Sequence, residues 1–117
     1  MALMWTVKPG TEEAVAEVFS NYGRPDPIVR DEEGNEKGRL LGTQVFMKDN
    51  VVVRIMEVDG DLRVLGPHLG RQPAVQEVEA KLDEFIETER DMSTPEGARK
   101  FFMDTAMRCL VARRGDD

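Results

Sequence analysis

The chain has 117 residues and a mass of 13.2 kDa, 40% of them hydrophobic and 33% charged, a size and mix that suit one domain over 1–117 with its own core. A net charge of −7 and a pI near 4.8, with Lys and Arg scattered, argue against nucleic acid as a partner, because phosphate backbones are bound mainly through clustered cations. No apolar run approaches the roughly 20 residues of a membrane span, and the start MALMWTVKPG lacks the basic and apolar regions of a leader, so the expectation is a cytoplasmic protein with no membrane partner.

Taken in chain order, Leu3, Trp5 and Val7 alternate with Met4, Thr6 and Lys8, which predicts a half-buried strand over 2–8 ended by Pro9-Gly10. From Thr11, the residues Val15, Val18, Phe19 and Tyr22 fall at helical spacing and Gly23 supplies a stop. Residues 24–38 mix Pro, Gly and charge without a period; they read as a long connection that either covers a pocket or is a solvated linker. Two strands follow, Arg39 to Met47 and Val51 to Val58, joined by the polar turn Lys48-Asp49-Asn50. Leu62 to Leu69 suggests a short helix that Gly66-Pro67 should break or kink. Pro73 opens a longer helix whose apolar face is Val75, Val78, Leu82, Phe85 and Ile86, with Gln76, Glu79, Lys81 and Glu84 on the wet face.

Thr94-Pro95-Glu96 is a helix start with a physical basis: Thr94 accepts an orphan N–H, Pro95 needs none, and Glu96 faces the positive end of the dipole. After Phe101, Phe102 and Met103 the period drops to 2, with Met107, Cys109 and Val111 alternating with Arg108, Leu110 and Ala112, which predicts a final strand carrying Cys109 as an inert core thiol. The plan is βαββαβ with an extra helix, an α+β ferredoxin-like arrangement with an antiparallel four-stranded sheet and helices on one face. Large apolar side chains occur on both faces of the strands. One helix layer cannot cover both, so a homodimer with sheets packed face to face is expected.

The segments VKPGTEEAV, VVVRIMEVDG, HLGRQPAVQEVEAKL and RDMSTPEGARKFFMDTAMRCL together resemble the SchA/CurD-like family over nearly the whole chain. The first three also look like the wider dimeric α/β-barrel superfamily, which includes small antibiotic-biosynthesis monooxygenases and aromatic polyketide cyclases. The Ser-Thr-Pro-Glu-Gly-Ala-Arg run and the following Met-Arg-Cys are the specific part. The resemblance implies a ferredoxin-like subunit paired into a dimeric barrel, among the accessory proteins of bacterial type II polyketide pathways, with synthase components as possible partners. It carries no residue roles with it.

One His and one Cys far apart make no zinc site, and neither GxGxxG nor a Walker A loop is present, so no metal, nucleotide, flavin or nicotinamide cofactor is expected. The candidates for chemistry are His68, with an imidazole that titrates near neutrality, and Arg54 and Arg108, fixed cations able to stabilise an enolate or phenolate. Against these stand an exposed or capping His68 and arginines held in structural ion pairs or lying along the surface. Arg54 shares a strand face with Val52 and Met56, so its guanidinium needs a partner. Trp5 as an aromatic wall or core residue, Gln44 as a carbonyl-orienting group and Met56 as an adaptable contact complete a substrate-binding set. Three functions are consistent with these residues: a cofactor-free cyclase acting on a poly-β-ketone or polycyclic aromatic intermediate, a cofactor-independent monooxygenase, and a non-catalytic dimer that binds the polyketide or its synthase.

Overall fold

A computed structural model describes residues 1–116. Its elements in chain order are β1 (Ala2–Thr6), α1 (Glu12–Ser20), β2 (Ile28–Arg30), β3 (Glu36–Lys48), β4 (Val51–Gly60), α2 (Leu62–Gly70), α3 (Pro73–Leu82) and α4 (Pro95–Thr105). The strands form one antiparallel sheet in the order β1-β4-β3-β2, and the fold is α+β as the periodicities predict.

β3 and β4 are the hairpin expected from Lys48-Asp49-Asn50, and Asp49 takes the left-handed conformation (φ 52°) that a tight turn demands and that Asp tolerates. Pairing of Leu3 with Arg54 and Trp5 with Val52 puts Leu3, Trp5, Val52 and Arg54 on one face. There they meet Val15 of α1, Val78 and Leu82 of α3, Ile86 from the turn after α3, and Phe101 of α4 in a continuous buried core. Leu65 of α2 is fully buried, and Gly38 of β3 faces it, the ideal Cβ position of the glycine lying 3.9 Å from the Leu65 Cβ.

Four local features differ from expectation. The stretch 24–38 is not a free cover: β2 pairs with the first residues of β3, and the turn between them is closed by Asp31, whose carboxylate accepts from the Glu33 and Asn35 N–H groups at 2.9 and 2.8 Å. α2 runs through Pro67 without interruption; the residue before it is Gly66, which has no Cβ to collide with the proline ring. α3 ends at Leu82, and the turn beyond it delivers Ile86 to the edge of β1, where Lys8 donates to the Phe85 carbonyl at 2.7 Å and Glu87 to that of Thr6 at 3.1 Å. Phe85 and Ile86 are therefore apolar for a reason other than helix amphipathicity.

The fourth difference is the final strand. Residues 107–114 form no strand, and Cys109 is exposed rather than packed in the core. The cause lies at the edge of β1. Ala106 forms a single antiparallel bridge with Leu3, and Met107 donates to the Ala2 carbonyl at 2.8 Å. In that direction the next residues pass the end of β1, while the other half of the same edge is taken by Ile86. The fourth strand of the sheet is instead β2, on the opposite side.

The second face of the sheet is open. Met4, Phe46 and Ile55 are 47%, 55% and 37% exposed, and the pairing of Phe46 and Met4 with Val53 makes one continuous apolar surface of them. The expected two-faced apolar character of the strands is thus present, with helices on one side.

Candidate functional site

Arg54 of β4 lies under the helices, its neighbours across the sheet being Leu3 and Val45. An unpaired guanidinium there would carry a large desolvation cost, and three groups offset it. Glu79 of α3 accepts from one terminal nitrogen at 2.8 Å, and the Tyr22 hydroxyl, just beyond α1, accepts from the other at 3.0 Å. The cation also stands 5.6 Å from the centroid of the Tyr22 ring. The Glu79 carboxylate is shared: its second oxygen binds Arg90 at 2.8 Å.

Arg90 binds on every side. Its Nε donates to Asp83 at 2.7 Å, a terminal nitrogen donates to the Glu79 carbonyl at 3.0 Å, and its guanidinium lies 4.5 Å from the centre of the Phe101 ring. The chain Tyr22, Arg54, Glu79, Arg90, Phe101 therefore ties α1, β4, α3, the loop after α3 and α4 into one buried polar seam. Burial pushes the Tyr22 hydroxyl above its ordinary range, with Arg54 pulling the other way and Glu79 adding to the rise.

Two atoms in this region have no partner among the described residues: the Trp5 indole Nε1 and the Arg54 Nε, both buried. Trp5 and Arg54 are diagonal neighbours on the helix-facing side of adjacent strands, a relation that brings long side chains within reach of each other. Trp5 packs its ring against Phe101 with centroids 6.0 Å apart. An N–H buried without an acceptor costs free energy on the order of 1–3 kcal/mol. Each of these donors would be satisfied by an acceptor brought within hydrogen-bond reach of it.

Two hollows lie beside the seam, and neither is lined by Trp5 or Arg54. A groove of about 280 Å³ lies between α1 and α3, lined by Ala14, Glu17, Val18, Asn21, Lys81 and Phe85 among others. A smaller hollow of about 10 Å³ shares Val18, Asn21 and Lys81 with that groove and reaches Tyr22, whose hydroxyl touches Arg54.

Of the residues singled out from sequence, Trp5, Arg54 and Met56 are on the helix-facing side, whereas Gln44, paired with Ile55, is on the open face. His68 belongs to α2, where its Nε2 is 2.9 Å from the Asp26 carbonyl oxygen and 3.4 Å from Gln72. Arg108 is exposed in the extended segment after α4. The structure thus brings Trp5, Arg54 and Met56 together and sets His68, Arg108 and Gln44 elsewhere. The helical pattern places Glu79 on the wet face of its helix; the residue is 9% exposed, because it follows Val78 by one position and sits at the border of the buried stripe. The need of Arg54 for an acid was the available signal. Arg90, in a loop of mixed charge, gave none.

The SchA/CurD-like domain model matches residues 1–114. The chain belongs to the SchA/CurD-like family. It is 44% identical over 118 residues, 99% of its own length, to "Polyketide synthase CurD" of Streptomyces cyaneus, and 44% identical over 106 residues to the "42.8 kDa protein in whiE locus" of Streptomyces coelicolor. "Protein SchA" of Streptomyces halstedii is 40% identical over 106 residues. The chain spans 31%, 25% and 27% of the length of these three proteins. No solved structure matches it. The run Ser93-Thr94-Pro95-Glu96-Gly97 has a structural task, since Thr94 caps α4 by accepting from Gly97 at 3.0 Å.

Proposed function

We propose that this domain is an accessory component of aromatic polyketide biosynthesis that works as a homodimer, binds a poly-β-ketone or its polycyclic phenolic product beneath the helices, and promotes ring closure without a cofactor. The observation that carries the reading is the pair of buried, unpartnered donors, Trp5 Nε1 and Arg54 Nε. A poly-β-ketone offers many acceptor oxygens and almost no donors, which is the complement of that pair. The relative named "Polyketide synthase CurD" suggests the substrate class, and the open apolar sheet face supports the dimer.

In this reading the substrate enters between α1 and α3, displacing Tyr22 from its resting contact. Ring closure is an aldol step and redox neutral. A methylene carbon between two carbonyls loses its proton to water in the groove, the resulting enolate carbon bonds to a ketone carbon, and the displaced electron pair settles on the ketone oxygen. Trp5 and Arg54 stabilise that oxyanion as it forms. The Tyr22 hydroxyl, kept protonated by burial, delivers a proton to it and is reprotonated from solvent. Holding the chain folded against these donors supplies much of the rate. His68 ties the loop at Asp26 to α2, and Arg108 belongs to the segment after α4.

A non-catalytic binding role is favoured by a different observation: Arg54 is already engaged by Glu79 and Tyr22, and His68 is bonded to backbone away from the donors. The test separates these readings. Trp5 is the single tryptophan, so titration with a hydroxyanthraquinone should quench its emission saturably. Arg54→Lys, which removes Nε as a donor, should weaken binding about tenfold or more; Tyr22→Phe is the second variant should the first fail to fold. Quenching with no turnover of a linear poly-β-ketone leaves the binding role, and oxygen consumption would instead mark a monooxygenase. Absence of saturable quenching in wild type overturns the reading.

A further inference from the structure

Pairing between β1 and β4 sets where the Cα atoms of Trp5 and Arg54 stand, but it does not set where their N–H groups point. The rotation of each side chain about its own bonds is left to whatever packs on it. For Trp5 that neighbour is Phe101, with ring centroids 6.0 Å apart; for Arg54 it is Glu79 at 2.8 Å, with Tyr22 at 3.0 Å on the other terminal nitrogen.

One side chain holds both supports. The Arg90 guanidinium lies 4.5 Å from the centre of the Phe101 ring, and its Nη1 is 2.8 Å from the Glu79 carboxylate oxygen that Arg54 does not use. Trp5, Phe101, Arg90, Glu79 and Arg54 therefore form a circuit that the sheet closes between its first and last members. Arg90 itself is spoken for: Nε binds Asp83, Nη2 binds the Glu79 carbonyl, and the side chain is 4% exposed. Contact with a ligand is not its task.

The loop that brings Arg90 here is pinned beside it. The backbone oxygen of Asp91 lies against Gly97, where a Cβ would collide, and the Asp91 carboxylate accepts from the Ser93 N–H at 2.9 Å. Gly97 and Phe101 are four residues apart in α4 and so share a face, which lays the loop over the helix that carries the ring.

We propose that Arg90 is a positioning residue for the two buried donors, holding the Trp5 Nε1–H and the Arg54 Nε–H in the orientation that receives a carbonyl oxygen. The inference rests on the reading of Trp5 and Arg54 as the donors to the ligand and deepens it. The physical reason lies in the sharing of Glu79. Carboxylates prefer a two-point fork on a guanidinium, and Arg90 claims the oxygen that would complete that fork on Arg54. With Arg90 removed, Glu79 turns both oxygens to Arg54 and changes the plane of its guanidinium, while Phe101 loses the cation that fixes its ring against Trp5.

The test compares two ligands of one shape, 1,8-dihydroxyanthraquinone and 1,8-dihydroxyanthracene, the second lacking the quinone oxygens. Each is titrated into the full chain by quenching of Trp5, at a temperature where circular dichroism shows every variant folded. Wild type should bind the quinone more tightly, and Arg90→Met should weaken the quinone about tenfold while leaving the anthracene unchanged. Should Arg90→Met fail to fold, Arg90→Lys takes its place, since it keeps a cation but cannot hold Asp83 and both Glu79 oxygens together. Equal losses for the two ligands would mark Arg90 as structural only and overturn the proposal. Undiminished quinone binding by the variant overturns it too, and leaves the donor reading standing. A wild type that does not bind the quinone, or binds both ligands alike, overturns both.

Discussion

A Cβ on Gly97 would collide with the backbone oxygen of Asp91 and stand 2.8 Å from its carbonyl carbon. The loop that carries Asp91 and Ser93, held by the Ser93 hydroxyl and N–H on the Asp91 carboxylate, crosses the first turn of α4 at this point. Gly97→Ala should therefore destabilise the domain by about 1–3 kcal/mol through overpacking, even though alanine is the better helix former by about 1 kcal/mol. Thermal melting decides it: an unchanged or higher Tm would mean that the crossing relaxes at no cost. Tyr22 gives a prediction in pH. Its folded pKa is raised above the ordinary 10.0, chiefly by burial, so the folded state binds more protons than the unfolded one across the interval between the two values. The stabilisation it contributes is whole below the unfolded value and is lost as pH rises through the folded one. As pH rises from 10.0 upward the wild type should lose Tm more steeply than Tyr22→Phe. As Tyr22 is the single tyrosine, its absorbance change on ionisation reports the same titration; parallel pH profiles for the two proteins would refute the assignment.

At the level of elements, α3 holds one carboxylate that serves two cations. Glu79 fixes Arg54 from the sheet and Arg90 from the following loop, and its own side chain is 12% exposed. Removing one member of a buried ion pair leaves the others charged and poorly solvated, so Glu79→Ala should cost about 3–5 kcal/mol in chemical denaturation. Combining Glu79→Leu with Arg54→Met removes charge from both sides and should cost less than Glu79→Ala alone. A loss below about 1 kcal/mol for the single variant would show the seam to be solvated and dispensable. The buried pairing was half legible in the sequence. Arg54 inside VVVRIMEV announced that an acid must come to it, but a helical pattern places Glu79 beside the apolar stripe without saying which acid turns inward. Arg90 was illegible because a loop has no period from which its direction could be read.

For the molecule as a whole, alternation in β1 and β4, the polar turn between β3 and β4, and the Thr94-Pro95 start of α4 were readable because each depends on neighbours in sequence. The absent last strand was not. Met107 to Ala112 has a strand's pattern, and whether such a pattern is realised depends on a free edge beside it; that edge, on β1, is shared between Ile86 and Ala106, residues far from it in sequence. Gln44 was placed with Trp5 on chemistry alone, and the register that sets it opposite Ile55 sends it to the other face. The same arrangement governs how the chain acquires its structure in time. β1 is hydrogen-bonded on one side by residues 51–55 and on the other by segments around 86 and 106, so none of its lasting neighbours is close to it along the chain. Such long loops must close before any contact rewards them, which slows folding. During synthesis Leu3, Trp5 and Val7 are fully covered only once α4 has left the ribosome, and until then the nascent chain is more prone to aggregate.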